Sequence, residues 1–141
     1  MAQGAGTVYY TSRQASCPGN TCVSSISPGS SAFLRSLSLP SGTYLINATV
    51  TLASSAASVA NVDCIIVPAN GDSTGVQSNM YSQATIPTYG GNNGGSVTLS
   101  VQGMVVNQPI VSVYCDTYGY APVNVGSLTL TATQVGTLVR Q

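Results

Sequence analysis

A jelly-roll β-sandwich of about eight antiparallel strands is the fold this sequence predicts. Two observations carry that expectation. Apolar and polar residues alternate with period two through most of the 141-residue chain, and clusters of Gly, Pro, Asn and Ser interrupt the alternation at short intervals. No segment of useful length has a helical period. Alternation rich in β-branched and aromatic residues describes strands with one buried and one wet face. About eight such strands with short connections match the jelly-roll count.

In chain order, strands are predicted near residues 7–11, 31–39, 43–53, 59–68, 79–87, 96–106, 109–117 and 126–139. In the third, TYLINATVTLA, residues Tyr44, Ile46, Ala48, Val50 and Leu52 share one face, and Asn47, Thr49 and Thr51 the other. Val62, Cys64 and Ile66 share a face in the fourth. Val97, Leu99, Val101, Gly103 and Val105 do so in the sixth, Val111, Val113 and Cys115 in the seventh, and Leu128, Leu130 and Ala132 in the eighth. The last strand changes phase between Ala132 and Val135, which predicts a bulge near Thr133. Phe33, Leu37 and Leu39 share parity with Arg35. Turn signals lie between the strands: SPGS at 27–30, LPSG at 39–42, PANGDSTG at 68–75, GGNNGG at 90–95, NQP at 107–109 and YGYAP at 118–122. Residues 1–30 read as an N-terminal arm with a short Cys17–Cys22 loop, and residues 31–141 as the jelly-roll domain.

Charge is scarce. Arg13, Arg35, Arg140, Asp63, Asp72 and Asp116 make up 4% of the chain, and Lys, Glu, His and Trp are absent. An ordinary domain is about a quarter charged. A basic stripe for nucleic acid is missing, as is one for an anionic membrane, and no apolar run is long enough to span a bilayer. A near-neutral surface favours association, so the chain reads best as part of a larger assembly. The first ten residues, MAQGAGTVYY, show no signal peptide.

The stretches LSLPSGTYLINATVTL, VDCIIVPANGD, SVTLSVQGMVV, VSVYCDTYG and GSLTLTATQVGTLV together resemble small jelly-roll domains of bacteriophage virion proteins and actinobacterial open reading frames. Those domains look like trimeric tumour-necrosis-factor/C1q-type sandwiches. The resemblance covers residues 31–141. It implies a homotrimer with no enzymatic activity, displayed on a virion surface or in the extracellular space. The partner would be a major capsid protein or a fibre or tail component.

In a jelly roll the fourth and seventh strands are antiparallel neighbours, and Cys64 and Cys115 both fall at their inward positions. A Cys64–Cys115 disulfide is therefore expected, with Cys17–Cys22 closing the CPGNTC loop. Buried free thiols are the alternative reading. The same register sets Asp63 opposite Asp116 on the outer face, where like charges repel. Calcium, a shared proton or an arginine would offset this, whereas two solvated carboxylates leaning apart would need nothing.

Without histidine, the Ser/His and Cys/His nucleophile pairs are excluded. Catalytic residues are accordingly none, and the protein is expected not to be an enzyme. Asp72-Ser-Thr-Gly is a spoiled aspartic-protease turn, and the NAT sequon at 47–49 sits mid-strand. What remains is a surface. Tyr81, Tyr89, Asn92, Asn93, Tyr118 and Tyr120 lie in or beside loops and form a candidate recognition surface for a glycan or a protein, with capping of the sandwich ends as the plainer reading. Phe33 and Arg35 are the expected oligomer contact, because an arginine at core parity needs a partner. Capsid decoration is the leading function. A lectin-like or fibre-tip binding module and an extracellular filament subunit are the alternatives.

Overall fold

The computed structural model of the chain describes residues 6–13, 25–54, 60–69, 80–86, 88–89, 93–119 and 121–136. The expected loop of Cys17 and Cys22 lies outside them, as do Asp72, Asn92, Tyr120 and Arg140. Among the described residues there are eleven strands and no helix: β1 (Val8–Arg13), β2 (Ser25–Ile26), β3 (Ser31–Ser38), β4 (Thr43–Ala53), β5 (Ala60–Pro68), β6 (Tyr81–Ile86), β7 (Thr88–Tyr89), β8 (Asn93–Gly94), β9 (Ser96–Val106), β10 (Ile110–Gly119) and β11 (Val123–Val135).

The long strands form two antiparallel sheets, ordered β1-β11-β4-β9 and β3-β10-β5-β6. Strand β2 adds to β11, and β7 pairs with β8 in a small separate hairpin. Each early long strand pairs with a late one: β1 with β11, β3 with β10, β4 with β9 and β5 with β6. This is one folded ribbon rolled into a sandwich, the jelly-roll arrangement. The sandwich takes in residues 8–13 and 25–26 of the segment read as an arm.

The core follows the alternation. Tyr44, Ile46, Ala48, Val50 and Leu52 of β4 face Val62, Cys64 and Ile66 of β5 and Val111, Val113 and Cys115 of β10, all buried. Tyr9 meets Tyr44 edge to face, ring centroids 5.8 Å apart. Burial, and secondarily the neighbouring Tyr9, push the Tyr44 hydroxyl pKa up. Gly103 continues the inward row of β9 because Met80 occupies the space above it: a Cβ there would run into Met80 Sδ and Cγ. Asn107 turns β9 into β10 at φ 50°. Its N–H donates to Gly42 O (2.8 Å) and its Oδ1 accepts from the Gly42 N–H (3.0 Å).

Two expectations about phase are corrected. The β11–β4 register is continuous from Leu128 to Val135, and the irregularity falls between Val125 and Leu128 instead of at Thr133. Gly126 sits there, where an added Cβ would lie 3.3 Å from Thr51 O. Val135 is an outward residue past the core, so its apolar character misled the phase reading. In β3 the register shifts opposite Val113/Tyr114. Leu34 is the extra residue and is buried, Phe33 turns outward, and Arg35 stays on the inner side opposite Val113.

Candidate functional site

The outer face of the β3-β10-β5-β6 sheet collects five of the described candidate residues, Phe33, Asp63, Tyr81, Asp116 and Tyr118, and strand register arranges them in rows. Cys115 pairs with Cys64, and the two form a disulfide with Cα atoms 4.1 Å apart, close to the short spacing of an antiparallel pair. Both are fully buried.

One step outward along each strand, Asp116 lies opposite Asp63. That row runs Ser31–Asp116–Asp63–Gln83. Tyr118 Oη donates to Asp63 Oδ2 at 3.3 Å. The Asp63 charge, then burial, then the Asp116 charge raise the Tyr118 pKa above its ordinary value, because a phenolate would face two carboxylates. Asp116 Oδ1 is buried without a hydrogen-bond partner among the described residues. Among the described residues no third Cys, His, Asp or Glu joins the two carboxylates there.

Arg35, a suggested compensator, is elsewhere. It points inward at the open edge of the sandwich, where its Nε donates to Thr11 Oγ1 at 3.1 Å. Thr11 lies on β1, so this bond links the edges of the two sheets. The partner that an arginine at core parity needs is thus supplied, within one chain, by a hydroxyl.

Next to the acidic row, on the side of the bulge, lies an apolar row. Phe33 pairs with Tyr114, Tyr114 with Ile65, and Ile65 with Tyr81. Four large side chains thus cross the whole sheet in a line about 14 Å long, given about 4.8 Å between strands. Phe33 is 46% exposed, Ile65 40% and Tyr81 55%. Phe33 and Tyr114 meet edge to face with centroids 5.5 Å apart.

On the other side of the acidic row is a polar one, Tyr118–Asn61–Thr85. Thr85 Oγ1 donates to Asn61 Oδ1 at 2.8 Å. Asn61, Val62, Gln83, Ala84, Thr85 and Tyr118 line a cleft of about 550 Å³. On the opposite sheet a smaller depression of about 300 Å³, lined by residues including Leu45, Asn47, Gln102 and Thr131, has neither an aromatic nor an acidic side chain among the described residues.

Of the six residues proposed for recognition, Tyr81 and Tyr118 share this outer face but belong to different rows. Tyr89 and Asn93 pair across the β7–β8 hairpin. Asn92 and Tyr120 lie outside the described residues. Sequence reasoning missed Asn61, Gln83 and Thr85. Their outward strand parity was the available signal, but outward polar residues on a strand ordinarily do no more than meet water.

No protein-family model and no curated protein sequence matches this chain. Solved structures resemble it to different degrees. A structure of infectious bursal disease virus Gx strain matches with a TM-score of 0.54 and 11% identity, over 97% of this chain and 36% of that one. The VP2 subviral particle of infectious bursal disease virus matches with a TM-score of 0.47 and 10% identity, over 94% and 34%. A carbohydrate-binding module of Cellvibrio mixtus lichenase 5A, in complex with cellotriose, gives 0.39 and 15%, over 79% and 75%. This chain spans about a third of the length of the two viral chains. At such identities the likeness is one of fold, and the protein is an all-β jelly-roll sandwich.

Proposed function

We propose that this protein is a non-enzymatic structural subunit of a virus particle, a homotrimeric jelly roll displayed on the virion surface, where it decorates and stabilises the capsid. The observation that carries this reading is the apolar row Phe33–Tyr114–Ile65–Tyr81, continuous across a whole sheet on a chain with almost no charge. A contiguous exposed apolar stripe marks an interaction surface, and covering it stabilises a complex by about 25 cal/mol per Å² removed from water. The shared fold with a viral chain and the buried disulfide, which suits an oxidising or extracellular setting, support the same reading.

Two measurements test it. Native mass spectrometry at micromolar concentration is expected to give the mass of three chains, and a Phe33→Asp, Tyr81→Asp variant the mass of one. Purified virions are expected to carry the chain in stoichiometric amount with the capsid protein. A wild-type monomer at micromolar concentration overturns the oligomer, and concentration-dependent fibres point to a filament subunit instead.

A further inference from the structure

The cleft beside Tyr118 goes beyond the assembly role and does not depend on it. Its row of side chains lies four residues along the strands from the apolar row, about 13 Å at strand rise, so a partner seated on Phe33 and Tyr81 leaves it at the rim. From its chemistry we propose that this cleft is a binding site for a neutral sugar.

Shape comes first. At about 550 Å³ the cleft falls within the range of small-ligand sites and has room for one or two sugar rings. Three strands build it, with Tyr118 from β10, Asn61 from β5 and Gln83 and Thr85 from β6, so the polar groups are held by sheet hydrogen bonds. Their side chains are held as well. Thr85 Oγ1 bonds Asn61 Oδ1, which sets the amide plane and leaves Nδ2 to donate outward. Tyr118 Oη bonds Asp63 Oδ2, which fixes the ring while the side chain stays 52% exposed.

Chemistry narrows the ligand. Two amides present donors and acceptors together, the pattern that vicinal hydroxyls satisfy, and an exposed ring packs against the apolar C–H face of a sugar. Among the described residues the polar lining side chains, Asn61, Gln83, Thr85 and Tyr118, carry no charge. Among the described residues the nearest charges are the carboxylates of Asp63 and Asp116, which border the lining: Asp63 pairs with Gln83 across the strands and accepts from Tyr118. They repel phosphate, sulfate and sialic acid. Arg35, the one arginine whose side chain is described, sits inside the sandwich edge with Thr11. A neutral, hydroxyl-rich ligand therefore fits where an anion does not.

The test is saturation-transfer NMR and calorimetry on the full chain, with maltotriose, cellotriose, mannotriose and N-acetyllactosamine, sialylated N-acetyllactosamine, and spermidine as a cationic probe. At least one neutral sugar is expected to bind at millimolar affinity or tighter, and the sialylated form about tenfold more weakly than its parent. Tyr118→Ala and Asn61→Ala should each weaken binding about tenfold or more. Thr85→Val should weaken it by loosening the Asn61 amide, with an unchanged melting temperature as the control for folding. Tyr10→Ala, exposed on the other sheet, should have no effect. No response from any neutral sugar at millimolar concentration overturns the proposal. So does binding that survives both Tyr118→Ala and Asn61→Ala, or a preference for the sialylated sugar or spermidine. Oligomer mass is read separately, so either proposal can fail without the other.

Discussion

Removing the Cys64–Cys115 bridge is the sharpest perturbation of this fold. The two residues are 51 positions apart in sequence and join the central strands β5 and β10. In the chain-entropy account, a closed loop of n residues lowers the entropy of the unfolded chain by about 2.1 + 1.5R ln n cal/mol/K. For this separation that is about 14 cal/mol/K, or about 4 kcal/mol at 25 °C. Both sulfurs are fully buried, so a Cys64→Ala, Cys115→Ala variant puts no polar group in the core, and the small cavity it leaves adds in the same direction. Guanidinium unfolding of the oxidised wild type and the double variant measures the difference. A loss of about 4 kcal/mol is expected, with a steeper denaturant slope because the freed unfolded chain exposes more surface. A loss below about 1 kcal/mol would refute the loop argument. Peptide mapping that finds Cys64 joined to Cys17 or Cys22 would refute the strand pairing itself.

Three further predictions follow from the outer face and the core. Tyrosinate absorbance titration should show a hydroxyl, Tyr118, ionising above the ordinary value of about 10, and Asp63→Asn should bring it back towards that value. Because the folded pKa is raised, this group's contribution to stability is full below the unfolded pKa and is lost as pH rises through the folded one, so Asp63→Asn should reduce the alkaline loss. Gly103→Val should cost about 1–3 kcal/mol in thermal unfolding, because Met80 must move; an unchanged melting temperature would show that Met80 does not fill that space. If Asp63 and Asp116 hold calcium, a chelator lowers the melting temperature and Asp63→Asn removes that sensitivity; no effect of chelator rejects calcium at this pair.

Much of the sandwich was legible along the chain because a strand reports its two faces at period two. Tyr44 to Leu52, Val97 to Val105 and Leu128 to Ala132 declare their inward sides without reference to anything else. Jelly-roll strand order then set Cys64 against Cys115 and Asp63 against Asp116, since one paired position in an antiparallel ladder determines all the others until a bulge intervenes. The bulges were not legible. Leu34 and the Gly126–Ser127 step depend on how one strand crosses its partner, so the apolar parity of Phe33 pointed the wrong way, and Val135, an apolar residue on the outward side, suggested a bulge where there is none. Nor did the sequence show the lateral rows. Phe33, Tyr114, Ile65 and Tyr81 are far apart in the chain, as are Asn61, Thr85 and Tyr118, and only pairing across strands makes each set one surface. Alternation determined which residues face water. Beyond the Asp63–Asp116 pair, the tertiary structure decided which of them are neighbours, because neighbours across a sheet are set by hydrogen-bond register and not by position along the chain.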